Sequence, residues 1–186
     1  KVATQESIDK LKTIIHRQNE SIMKLESKVS SLEKEVDLLK EQNDDSEQYS
    51  RRTCLRINGV PKSPNESADN CLQAVVKIFK EANVDVPNSV IDRAHRIGRA
   101  YGNKPRQIIV KFSTWRHRTD VYKARKLIKE KLGLGVQPDL TRARLELLKQ
   151  VQLLCENTNA EFAFADVNCN LGIKLKGGGI QLFKNL

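Results

Sequence analysis

Apolar residues recur at intervals of three and four from Ile8 to Leu39, and the recurrence is a strict heptad. With Ile8 at position a, the a positions are Ile8, Ile15, Ile22, Val29 and Val36, and the d positions are Leu11, Gln18, Leu25, Leu32 and Leu39. Nine of the ten seam positions are apolar, β-branched at a and Leu at d. That is a coiled-coil seam rather than the broader stripe of a globular helix. No Gly or Pro precedes Gly59, and five heptads make a rod of about 50 Å. In a parallel, in-register pairing Lys28 faces Glu33 and Glu35 faces Lys40, both attractive. Residues 1–46 therefore read as a parallel, self-pairing oligomerisation segment. The alternative is a helix docked on its own domain or on another protein. Ile and Val at a with Leu at d favour two strands, and the polar Gln18 costs stability while offering a register mark. The run Asn43-Asp44-Asp45-Ser46 reads as a helix terminus or a short hinge.

The period then changes. Residues 53–60 read as a strand, followed by a loop at Pro61–Asn65. Ser67 or Asp69 can cap a helix carrying Cys71, Leu72, Val75, Val76, Phe79 and Ala82 at helical spacing, which Pro87-Asn88 breaks. Val90–Ile97 is a second strand, a loop spans 100–105, and "QIIVKF" (107–112) is the clearest strand. Thr114 can cap a second helix reaching about Lys131, and Leu134-Gly135-Val136 supplies a short fourth strand. Residues 47–140 thus predict β-α-β-β-α-β, the ferredoxin-like order shared by the RNA-recognition motif. That order hosts many functions, so the side chains must decide among them. In residues 141–186, Thr141 caps a helix with Leu145, Leu148, Val151, Leu154 and Cys155 on one face. Three short strands follow, with turns at Asn168-Cys169-Asn170 and Gly177-Gly178-Gly179. The fold class is α+β, with a coiled coil in front and a small C-terminal α+β domain. The latter is too small to stand alone and must pack on the middle domain or on a neighbouring chain.

Charge changes this picture from architecture to chemistry. The chain of 186 residues carries a net charge of +10, divided as −3 over 1–48, +11 over 49–140 and +2 over 141–186. The basicity belongs to the middle segment and favours a polyanionic partner. Aligned with an RNA-recognition motif, "LRINGV" places Arg56 where the exposed aromatic of the first strand normally stands. "RQIIVKF" places Gln107 and Ile109 at the two exposed aromatic positions of the third. Arg56, Asn58, Gln107 and Lys111 on that face suit phosphates and sugars, contacts that carry little sequence information. Around them, Arg51 and Arg52 precede the first strand. Arg93, His95, Arg96 and Arg99 decorate the second, and Lys104 and Arg106 lie in the loop after it. Arg116, Arg118, Lys123 and Arg125 crowd the second helix, with Lys126, Lys129 and Lys131 behind them. Tyr101 and Trp115 are the aromatic candidates for stacking, Trp115 being equally suited to a core position. Arg142, Arg144, Lys149, Lys174 and Lys176 are candidates to widen the basic groove.

Other chemistry is not indicated. Cys54, Cys71, Cys155 and Cys169 form no C-x-x-C pair, and His16, His95 and His117 are dispersed, so no metal or other cofactor is expected and the thiols read as buried and reduced. The glycine run at 177–179 lacks the Lys-Ser or Lys-Thr of a phosphate loop. No catalytic constellation stands out, so the chain reads as a binding protein rather than an enzyme. No run approaches the length of a membrane span.

Taken together, the heptad rod, "SRRTCLRINGVP", "IDRAHRIGR", "KPRQIIVKF", "RHRTDVYKARK" and "DLTRARLELLKQVQ" resemble the first-open-reading-frame protein of LINE-type (non-LTR) retrotransposons. The resemblance implies a homotrimer that binds single-stranded RNA and DNA, acts as a nucleic-acid chaperone and packages its transcript into cytoplasmic ribonucleoprotein particles, with the nucleus as a second compartment. The family's trimer signature begins with Arg. Here "KVSSLE" has Lys28 in that place, so dimer and trimer both stay open. A different class of reading is an interaction adaptor, whose coil recruits a partner and whose basic domain binds an acidic protein.

Overall fold

The computed structural model describes residues 4–62, 67–99, 102, 104–155 and 160–183, the side chains of residues 68 and 69 excepted. The chain divides into two compact units, Lys1–Asp45 and Ser46–Leu186. Helix α1 spans Gln5–Arg51. It does not end or bend into a loop at Asn43–Ser46, as the loss of apolar period there predicts. Without Gly or Pro nothing stops it, and its last residues find partners of their own. In the first unit every apolar seam residue is exposed in the single chain, from 37% at Ile8 to 62% at Leu25. The seam residues Leu11, Ile15, Ile22, Val29, Leu32, Val36 and Leu39 fall between these limits.

The second unit contains a four-stranded antiparallel sheet. Its elements are β1 (Cys54–Asn58), α2 (Ala68–Glu81), β2 (Ile91–Arg96), β3 (Ile108–Phe112), α3 (Trp115–Lys123), α4 (Arg125–Leu132) and β4 (Gly135–Pro138). The strands lie in the order β2-β3-β1-β4. Leu55 pairs with Val110 of β3 and with Pro138 of β4, and Ala94 of β2 pairs with Val110. Pro138 is tolerated because β4 is an edge strand. Ser67 caps α2, its hydroxyl accepting from the Asn70 N–H. Thr114 caps α3 by accepting from the His117 N–H.

The single helix expected from Thr114 to about Lys131 is two helices that meet at Ala124. The Arg125 guanidinium donates to the Tyr122 carbonyl at 3.1 Å, taking an acceptor that an uninterrupted helix would use in its own ladder. Gly133, at φ +69°, closes α4 in the left-handed conformation that glycine adopts without strain.

One face of the sheet (Leu55, Ile57, Ile108, Val110, Phe112) is buried against Val75 and Phe79 of α2, Val121 of α3 and Ile128 of α4. Period-two alternation sends Arg56, Asn58, Ile109 and Lys111 to the other face, where they are half-buried rather than buried.

Helix α5 (Arg142–Cys155) and the antiparallel sheet β5 (Ala160–Ala165), β6 (Leu171–Leu175), β7 (Ile180–Phe183) complete the unit. Thr141 caps α5, its hydroxyl accepting from the Arg144 N–H. The β5–β6 turn is organised by Asp166, whose Oδ1 accepts from the N–H groups of Asn168 and Asn170 at 2.8 Å each. This turn is fastened to α3: the Tyr122 hydroxyl donates to the Ala165 carbonyl at 2.7 Å, and Arg118 donates to the Val167 carbonyl at 2.5 Å. The glycine run is the β6–β7 hairpin turn, as its composition predicts.

Candidate nucleic-acid interface

The open face of the larger sheet is built by register. His95, Ile109, Arg56 and Gln137 form one row across β2, β3, β1 and β4; Arg93, Lys111 and Cys54 form the next. The absence of an aromatic at Ile109 leaves this face without the stacking platform of an RNA-recognition motif. Asn58 lies farther along β1, opposite Gly135, with its Oδ1 buried and without a hydrogen-bond partner among the described residues. Gln107 lies just before β3 and is half-buried.

Arg56, the leading contact predicted from sequence, is already engaged. Its Nε donates to Asp139 Oδ1 at 2.6 Å, and its Nη2 stands 2.5 Å from the same oxygen. Arg51 takes the other carboxylate oxygen at 3.0 Å and also pairs with Glu47 at 2.6 Å. Asp139 is buried. Gln48 completes the junction by donating to the Asp139 carbonyl and accepting from the Thr141 N–H, both at 3.0 Å. The last turn of α1 is thereby fixed to β1 and to the entry of α5. Arg51 and Arg56 are structural cations first.

Arg118 is a clearer correction. It is fully buried, between the rings of Trp115 at 4.8 Å and Tyr122 at 5.2 Å, and it reaches Val167 and the Cys169 thiol. Burial pushes its pKa down from the usual guanidinium value. A side chain with no exposed surface does not meet a phosphate, and Arg118 instead ties the C-terminal sheet to α3. Arg116, Lys123 and Arg125 sit on the helical layer, which packs on the buried face, so the sheet separates them from Arg56. Arg125 also lies over the Tyr122 ring at 4.4 Å. Trp115 lies beneath Arg118, and Tyr101 lies outside the described residues.

Other cations are paired. Lys111 stands 3.5 Å from Asp92, Arg142 2.8 Å from Glu146 and Lys174 2.7 Å from Glu161. Arg52 stacks on Tyr49 at 3.6 Å. Arg93 is exposed at the sheet edge.

What the structure does bring together is the β2–β3 connection. Two adjoining depressions, of about 470 and 580 Å3, share Arg99, Lys104 and Arg106; Arg56 and Gln107 line the first, Lys62 and Arg96 the second. Among the described residues no carboxylate lines either. Arg96 is held in place by the carbonyls of Val60 (2.6 Å), Pro61 (2.6 Å) and Arg106 (2.8 Å). Among the described residues no ion pair neutralises Lys62, Arg99, Lys104 or Arg106. Lys62 was not among the contacts expected from sequence, because it stands in the loop after β1. The Arg96 bonds to Val60 and Pro61 bring that loop to the site.

The four cysteines are buried and none is in a disulfide, and among the described residues no three His, Cys, Asp or Glu side chains converge as a metal site would require. No described helix is long and apolar enough to cross a membrane. No family model matches the chain, and no curated protein matches it significantly in sequence.

Proposed function

We propose that this chain is an oligomeric, largely sequence-independent binder of single-stranded RNA and DNA that acts as a nucleic-acid chaperone. Its expected setting is the packaging of a LINE-type retrotransposon transcript. The observation that carries the reading is the group Lys62, Arg99, Lys104 and Arg106 at the β2–β3 connection, which no ion pair neutralises among the described residues and which adjoins a sheet face without stacking aromatics. Such a surface gains its affinity by displacing counterions from phosphates, and so discriminates little among bases. The strand order β2-β3-β1-β4 supports a ferredoxin-like, RNA-recognition-motif type of domain adapted to backbone contacts. The exposed heptad seam supports a parallel coiled coil, which would join two or three basic modules and turn weak contacts into avidity.

The test is the affinity of the full chain for a labelled single-stranded RNA across a salt series. The expected result is a log–log slope that becomes shallower by about 0.7 for each contacting cation removed at Lys104 or Arg106. Negligible binding at physiological salt would overturn the reading and favour an adaptor that binds an acidic protein.

A further inference from the structure

The cations of the β2–β3 connection surround a depression rather than forming a track along the surface. Arg99, Lys104 and Arg106 line both of its lobes, and Lys62 closes one side. Arg96 ties the loop after β1 to the residues just before β3 through the carbonyls of Val60, Pro61 and Arg106, which brings Lys62 and Arg106 to one site. Gly98 and Gly102, at φ +78° and +55°, line the second lobe, and among the described residues nothing lies within 4 Å of where their side chains would begin.

Like charges gathered this closely repel one another, and an anion filling the depression would relieve that repulsion. An internal phosphodiester brings one negative charge. A phosphomonoester brings about −1.5 to −2 at pH 7, and a di- or triphosphate brings more in a compact volume. Arginine forks and lysine ammonium groups on several sides are the donor set for oxygens that radiate from linked phosphorus centres.

We propose that this depression is a pocket for clustered phosphate, and that its ligand is the terminal di- or triphosphate of a single strand. The proposal rests on the strand-binding function inferred above and adds a preference for strand ends that backbone contacts alone would not give.

The experiment uses the full chain and one RNA sequence labelled at its 3′ end, carrying a 5′-hydroxyl, a 5′-monophosphate or a 5′-triphosphate. Anisotropy titrations are expected to show the triphosphate end bound about tenfold more tightly than the hydroxyl end. Inorganic tripolyphosphate should compete away that advantage and leave the remaining affinity. The double variant Arg99→Gln/Lys104→Gln should lose the preference. Arg116→Gln/Lys123→Gln, which removes the same charge from the helical layer, should keep it. Equal affinity for all three ends would overturn the pocket while leaving the proposed function standing, as would equal loss of preference in both double variants. Tripolyphosphate binding that depends on Arg99 and Lys104, in a chain that ignores RNA, would uphold the pocket's chemistry and overturn the strand as its ligand.

Discussion

Arg56 holds Asp139 by two nitrogens, Nε at 2.6 Å and Nη2 at 2.5 Å, both on the same carboxylate oxygen. The acid is buried and the guanidinium is 24% exposed, so solvent screens the pair only in part. Removing one partner leaves the other charge partly desolvated, which is the expensive way to break an ion pair. Asp139→Ala should lower stability by about 2–4 kcal/mol, since it strands both Arg51 and Arg56. Urea unfolding measures this, and a loss below about 1 kcal/mol would show the network to be dispensable.

The same pairing separates stability from binding. Arg56→Ala should lower the unfolding midpoint yet change the salt slope of RNA binding little, because Asp139 already neutralises that guanidinium. Lys104→Ala should do the reverse, leaving the midpoint unchanged and lowering the slope by about 0.7. Measuring both quantities on both variants decides the matter. Equal slope changes would place Arg56 among the phosphate contacts after all.

This contrast marks where sequence stops being informative. Period-two alternation in "CLRIN" puts Arg56 on the open face, and the structure agrees. It says nothing of Asp139, which stands 83 residues away and closes on that arginine only through the β1–β4 pairing. The end of α1 is hidden from the local sequence for the same reason. Asn43–Ser46 looks like a terminus locally, whereas the helix is held to Arg51 by Gln48, whose partners are more than 90 residues distant. Arg118 looks like one more surface cation in "WRHRTDVYK". Its neighbours at i−3 and i+4 are aromatic, and that spacing was the available sign that it is wrapped rather than exposed. By contrast the order of the strands along the chain, the Thr114 and Thr141 caps, Ser67 as one of two cap candidates, and the β6–β7 turn were legible, because periodicity and capping chemistry are local.

The attachment of the C-terminal sheet to α3 makes a distinct prediction. Tyr122→Phe deletes one hydrogen bond to the Ala165 carbonyl and should cost about 1 kcal/mol. Arg118→Ala removes the bonds to Val167 and Cys169 and leaves a cavity between two rings, at a cost of about 3 kcal/mol. In hydrogen exchange the loss of protection should concentrate in residues 160–175. Uniform loss across both sheets would show that the two parts unfold only together.

Gly172 tests how tightly that sheet is assembled. A Cβ there would come within 2.9 Å of Leu182 Cδ2, 3.0 Å of Phe164 Cζ and 3.2 Å of the Gln181 carbonyl oxygen. The first two can swing aside, but the backbone oxygen belongs to the neighbouring strand and cannot. Gly172→Ala should therefore cost about 1–3 kcal/mol by overpacking. Thermal unfolding checks it, and an unchanged midpoint would mean that β7 is free to shift.

Alkaline pH supplies the last test. Burial pushes the thiols of Cys54 and Cys169 above their ordinary value of 9.0, and the Tyr122 phenol above 10.0. A raised folded pKa means that the native state keeps its proton after the unfolded chain has released it. The contribution to stability is whole below the unfolded values and is lost as pH rises through the folded ones. Stability should thus fall from about pH 8.5 upward, each thiol adding at most about 1.4 kcal/mol per pH unit. Denaturant midpoints between pH 7 and 10 measure the slope, and Cys54→Ala/Cys169→Ala should flatten it even if the variant is less stable at pH 7. A slope unchanged in the double variant would show that other groups govern alkaline unfolding.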